Sequence, residues 1–201
     1  KVDSHDYLKY ILEFTKGENR AKKTLSHLVS IINKNSILLK SLSKQLKGNF
    51  QNLSDNDRKA VMICLFALTF PIANEILIAF SVSFKVQDLI SKRVILEKMG
   101  AMYGSNRSMH IGVDESIPFF LECGILKRQK IGIYARGINL KITNSFVTEM
   151  IIYANIKLSA SKSILVDELS FKPWYSYFDI SNLSSDNFNQ LLAKKDSAVG
   201  M

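Results

Sequence analysis

Between Ile125 and Ile142 the chain carries Lys127, Arg128, Lys130, Arg136 and Lys141 and not one acidic residue. Cations crowded on a short ribbon repel one another unless an anion lies close, and nucleic-acid phosphates are anions of the right spacing and charge. The plainer use of such residues is to protect a solvated sheet edge from pairing with another chain. Upstream stand Ser105, Asn106 and Arg107, followed by Ser108 and His110. Asn and Arg are the side chains that bond bidentately to adenine and guanine edges, and Arg107 is the sharpest candidate. Ser105 and Asn106 serve equally well as helix caps. Lys92 and Arg93 complete the set, as phosphate contacts or as solvent-facing residues.

These residues need elements to hold them. The alternation of Ile131 and Ile133, then of Ile138, Leu140 and Ile142, predicts a strand over Ile125–Tyr134, a turn at Ala135-Arg136-Gly137 and a return strand over Ile138–Ile142. Before it, Asp88 caps a helix whose apolar positions are Leu89, Ile90, Val94, Ile95 and Met99, ending at Gly100 or Tyr103. The turn Tyr103-Gly104-Ser105-Asn106 leads into a second helix from Arg107 to about Cys123, stopped by Gly124 and interrupted in pattern by Gly112 and Pro118. A short strand is expected at Phe84–Val86. Helix, glycine turn, helix and two-stranded hairpin, in that order, are the parts of a winged helix-turn-helix. In that arrangement one helix braces another against the major groove while the hairpin lies on the backbone or the adjacent minor groove.

Around this module the pattern is helical. Residues 1–53 read as a lysine-rich helical arm with a helix capped by Asp6, another capped by Asn19, and a third over Ser36–Lys47. Its lysines form either a solvated face or a second nucleic-acid contact. Ser54 starts a helix with Asp55 and Asp57 in the first turn, and Pro71 starts the next. The run Val61–Phe84 is the most apolar in the chain, but Pro71, Asn74 and Glu75 interrupt it, so a buried helical hairpin is expected rather than a membrane span. Residues 54–160 make the winged core, closed by a helix that Asn144 caps. Residues 161–201 make a tail: an extended stretch at Ile164–Leu169, an aromatic cluster (Phe171, Trp174, Tyr175, Tyr177, Phe178) and a short helix from Ser185. The cluster reads as a hydrophobic plug or partner surface, or else as a platform for unpaired bases.

Composition narrows the class. The 201 residues carry 27 Lys and Arg against 18 Asp and Glu, a formal charge of +9, with mean hydropathy near zero. That describes a folded chain with an affinity for polyanions. Cys64 and Cys123 lie in apolar contexts and read as reduced core residues, which points to a cytoplasmic setting. The opening KVDSHDYLKY shows no signal peptide and lacks an initiator Met, as expected of a chain beginning inside a longer one. His5, His27 and His110 are scattered, no metal-ligand spacing, phosphate-binding glycine loop or nucleophile elbow occurs, and Asp114-Glu115 reads as helix surface. A non-catalytic protein without cofactor is therefore expected, although carboxylates gathered by folding into a nuclease site would leave no local signature.

The runs DRKAVMICLFALTFPIANEI, LISKRVILEKMGAMYGSNRSM, FFLECGILKR and SFKPWYSYFDI resemble a poorly characterised family of small bacterial winged-helix proteins, often encoded with phage-defence or DNA-modification systems. The architecture is also similar to the BrxA proteins of BREX systems. The likeness covers Asp57–Ile180 and carries Tyr103, Gly104 and Arg107 at the turn, then Gly124, Ile125 and Leu126 at the start of the strand. The chain departs from the family in placing Ser105-Asn106 before Arg107, and Gly112 and Pro118 in the next helix. The resemblance implies an accessory DNA-binding subunit of a defence complex. The expectation is thus a mainly α protein with a helical arm, winged helix and C-terminal helix, binding double-stranded DNA, its oligomeric state open. The alternative is an adaptor whose winged helix docks on another protein.

Overall fold

The computed structural model describes residues 4–104, 106–180, 188 and 190–193. They form a mainly helical protein with two small sheets. Helix α1 spans Ser4–Phe14, α2 Glu18–Lys34 and α3 Ser36–Gln45. Asp6 falls inside the first turn of α1 rather than capping it, and Gly17, not Asn19, occupies the N-cap of α2. One tie of the arm to the rest is at its α2–α3 junction. There Lys34 Nζ donates to the Thr69 carbonyl (2.9 Å) and Asn35 Nδ2 to Thr69 Oγ1 (2.8 Å), while Leu38 and Leu42 of α3 enter the core.

Ser54 caps α4 (Asp55–Thr69) as expected, its Oγ accepting the Asp57 N–H at 3.1 Å. Pro71 occupies the first turn of α5 (Pro71–Ser83), where its missing N–H costs nothing. The two helices meet at 118°, and no single helix among the described residues is long and apolar enough to cross a membrane. Val61, Ile63, Cys64, Ile76, Leu77 and Phe80 of this pair are buried at the centre of the molecule. Asn144 caps α8 (Ser145–Leu158), its Oδ1 accepting the N–H groups of Phe146 (3.0 Å) and Val147 (3.2 Å). This helix packs along α4, and Asp57 locks the pair: its buried carboxylate accepts from Ser54 Oγ, Thr143 N–H, Thr143 Oγ1 and Asn144 N–H at 2.6, 3.0, 2.6 and 3.3 Å. Burial alone would raise the Asp57 pKa, but these donors outweigh it and hold the carboxyl below its ordinary value.

From α5 the chain enters β1 (Leu89–Ser91), α6 (Lys92–Tyr103), α7 (Arg107–Glu122), β2 (Leu126–Lys130) and β3 (Ile133–Arg136). The three strands form an antiparallel sheet in the order β1-β3-β2. Three sequence expectations are corrected here. Phe84–Val86 is not a strand: Phe84 ends α5, its ring stacked 5.8 Å from that of Phe80. Leu89–Ser91 is not helical but paired with β3, because Ser91 supplies a later cap to Val94 and Ile90 can bury itself against the sheet. The hairpin turns at Ile131-Gly132, not at Ala135–Gly137, since Gly132 adopts the positive φ (+73°) that the tight loop needs. Helix α7, by contrast, runs through Gly112 and Pro118 without a break.

Gly137 marks where the chain leaves the sheet. Its backbone presses on Gly124, so that a Cβ would lie 2.0 Å from the Gly124 carbonyl oxygen, and its N–H donates to Ile125 O at 2.9 Å. After this crossing β4 (Leu140–Lys141) pairs in parallel with β5 (Phe178–Asp179). The stretch expected to be extended at Ile164–Leu169 instead forms a 3-10 turn over Val166–Ser170, and another spans Pro173–Tyr177. Trp174, Tyr175, Tyr177 and Phe178 are buried in the common core. The helix expected from Ser185 lies outside the described residues.

Candidate nucleic-acid interface

Cross-strand register decides where the cations point, since directly opposed residues share a face. Leu126 opposes Arg136, and Arg128 opposes Tyr134, which opposes Ile90. Leu126, Tyr134 and Ile90 are buried, so this is the inner face and Arg128 and Arg136 lie at its margins. Lys127 opposes Ala135 on the outer face. Lys130 opposes Ile133, two residues from Ala135, and therefore shares that outer face. In a regular strand residues three apart point to opposite sides. The register shift between Arg128 and Lys130 removes that parity, so the bulge puts Lys127 and Lys130 together.

The structure separates two of the five cations from the other three. Lys141 does not belong to the hairpin, because the Gly124–Gly137 crossing sends it into the β4–β5 sheet. Arg136 is exposed at the sheet margin, and its guanidinium donates to the Ser176 carbonyl, where it fastens the aromatic tail. Arg128 lines a small cleft with Lys92, Asp114, Pro118 and Tyr134. Lys127, Arg128 and Lys130 are exposed and make no ion pair with any acidic residue among those described.

The hairpin is braced at its tip. Gly132 O accepts the Lys92 backbone N–H at 2.8 Å, and the Lys92 ammonium pairs with Asp114 of α7. One residue thus joins the start of α6, the tip of the hairpin and the middle of α7. Pro118 removes the N–H that would have bonded the Asp114 carbonyl in the helix. On the other side of α7, Glu115 pairs with Lys23 and lies 3.8 Å from His27, both of α2. The Asp114-Glu115 pair is therefore a double tie, to the hairpin brace and to the arm. A cleft of about 510 Å³ opens between α2 and α7 beside it, floored by Phe66, Phe70 and Phe119.

At the start of α7, Asn106 has its side chain engaged at both ends. Its Oδ1 accepts the Met109 N–H (2.9 Å) and its Nδ2 donates to the Tyr103 carbonyl (3.2 Å). Arg107, next in the helix, is exposed and has no acidic partner among the described residues. Ser105 lies outside those residues. Arg93 forms an (i, i+4) pair with Glu97 at 2.8 Å, an exposed contact that phosphate could replace at little cost. Burial raises the thiol of Cys64 well above its ordinary pKa and pushes Cys123 up to about 12, which leaves both unreactive. Among the described residues no group of three His, Cys, Asp or Glu side chains could hold a metal ion.

Two features escaped sequence reasoning. The alternation places Ile131 in a strand, yet it stands at the turn 95% exposed; the Gly that follows it is the signal for the turn. The second is a buried carboxylate, Glu149, whose Oε1 accepts the N–H groups of Gln190, Leu191 and Leu192 at 2.9, 2.7 and 2.8 Å. Nothing local in the sequence marks it.

No family model matches this chain, and no curated protein or solved structure does either.

Proposed function

We propose that this protein binds double-stranded DNA without catalysing a reaction, through a winged helix-turn-helix built from α5, β1, α6, α7 and the β2–β3 hairpin. The order helix, strand, helix, helix, hairpin with sheet order β1-β3-β2 supports the winged-helix reading. The observation that carries the DNA reading is the bulge that puts Lys127 and Lys130 on one exposed face, with Arg128 exposed at the margin of the other, none of the three in an ion pair with a described carboxylate. These three side chains would meet phosphates, with Lys92 and Arg93 as secondary contacts after exchanging their carboxylates. Arg107 is the candidate base reader. Asn106 serves as a cap; Arg136, bonded to Ser176, and Lys141, exposed in the β4–β5 sheet, would be more distant contacts, as would Ser105. As an accessory subunit of a defence or DNA-modification complex, the role implied by the resemblance, the chain would dock DNA and leave the chemistry to others.

A fluorescence-anisotropy titration of the protein on a duplex at several salt concentrations tests this. Affinity should fall with log[salt] at a slope near −0.9 per phosphate contacted, so Lys127→Ala with Lys130→Ala should flatten the slope by about 2. Loss of affinity should be alike on all sequences for that pair, whereas Arg107→Ala should change sequence preference. Absence of binding to any duplex at low salt would sink the reading.

One observation favours the rival, a protein adaptor. Tyr10 and Phe14 of α1 are 59% and 72% exposed with their rings 5.0 Å apart, an apolar face that a partner protein could cover. An adaptor would bind no duplex at any salt.

A further inference from the structure

The tip of the hairpin carries a side chain that the fold does not use. Lys130 and Ile133 are paired across the sheet, leaving Ile131-Gly132 as a two-residue loop. Such loops are made from Gly, Asn, Asp, Pro and Ser, which either tolerate a positive φ or bond their own backbone. Gly132 answers that demand. Ile131 does not: it is β-branched, apolar and 95% exposed, and contributes neither a cap nor a packing contact at the turn. Yet it stands next to a braced point of the ribbon, where Lys92 N–H donates to Gly132 O. It is also isolated. Leu89, the exposed apolar residue of β1, pairs with Ala135 and so lies two registers back from the tip. A lone apolar point on a charged, braced ribbon has the shape of a wedge rather than of a flat protein-docking patch. Its neighbours Lys130 and Lys127 supply cations on the ribbon behind it.

We propose that Ile131 inserts into the DNA minor groove as an apolar wedge, partly unstacking a base step and bending the duplex while Lys127 and Lys130 hold the flanking phosphates. This rests on the DNA-binding reading above and adds to it the groove and the mode of engagement. Minor-groove proteins use Ile, Leu, Phe or Met in this way, offsetting the cost of unstacking with contacts that the bend brings within reach. Flexible pyrimidine–purine steps deform most easily, so TA and CA steps are the expected targets.

The test uses the full chain with duplexes that carry a single TA step, 2-aminopurine beside it, and donor and acceptor dyes at the ends. The wild type should raise 2-aminopurine fluorescence and shorten the end-to-end distance. Distamycin, which fills the minor groove, should compete. Ile131→Ala should abolish both signals and weaken binding about tenfold, close to the value of burying one such side chain, with the salt slope unchanged because the cations remain. The residue is exposed, so the variant keeps its fold, which circular dichroism verifies. Ile131→Met should retain the bend. If wild type and Ile131→Ala bind and bend alike, or if the wild type binds without unstacking, the wedge is overturned while DNA binding stands. If the wild type binds no duplex, the underlying reading falls with it.

Discussion

The hairpin and the aromatic tail both looked equipped for nucleic acid, one through cations and the other through rings, and the fold treats them in opposite ways. In the tail every polar handle is tied inward: Trp174 Nε1 donates to Ile151 O (3.1 Å), Tyr175 OH to Asn155 Oδ1 (3.2 Å) and Tyr177 OH to Leu77 O (2.8 Å). Burial raises the phenol pKa of both tyrosines, which stay neutral donors. Phe171, at 76% exposure, is the one ring of the cluster left outside. The hairpin instead leaves three cations and an isoleucine to solvent. Aromatic density without a polar outlet makes a plug, while charge without a partner leaves a surface with something still to bind. Arg136 is the seam between the two regions, a hairpin cation that serves the tail.

Trp174→Ala should cut deepest. Removing a fully buried Trp together with its hydrogen bond to the Ile151 carbonyl should cost about 3–5 kcal/mol, read as a lower urea midpoint, while the folded fraction keeps its DNA affinity. A loss of affinity beyond the loss of fold would make the tail part of the interface. Asp57→Ala, which strips the joint between α4 and the segment after the hairpin, should cost about 1–3 kcal/mol through the loss of several hydrogen bonds to part-buried donors. Because the folded pKa of Asp57 is lowered, its contribution is complete above the unfolded value of about 3.9 and is lost as pH falls through the folded value. Urea midpoints against pH should therefore drop less steeply in acid for Asp57→Asn than for the wild type. Arg136→Gln should have the smallest effect on DNA, under about twofold, since its guanidinium is already committed to Ser176. An effect equal to that of Lys127→Ala would mean that Arg136 lets go of the tail to reach phosphate.

Much of this was legible along the chain. Local chemistry set the caps at Ser54 and Asn144, the start at Pro71, the span of α7 and the burial of the aromatic cluster, because each depends on a few neighbouring residues or on helical periodicity. The misassigned segments were those whose state depends on a distant partner. Leu89–Ser91 is a strand only because Ile133–Ala135 lies beside it. The hairpin turned at Gly132 rather than Gly137 because the second glycine is consumed by contact with Gly124.

The sequence by itself determined that the protein is mainly helical, basic, and cored on Val61–Phe84, since charge and periodicity are sums over residue types. It also determined that a cationic segment follows α7. Only the tertiary structure decided which of those cations are available. A one-residue bulge changes which face a side chain takes, a glycine crossing moves Lys141 to another sheet, and a carbonyl forty residues away claims Arg136. Facing and pairing are relations between segments, and no property of the segment alone contains them.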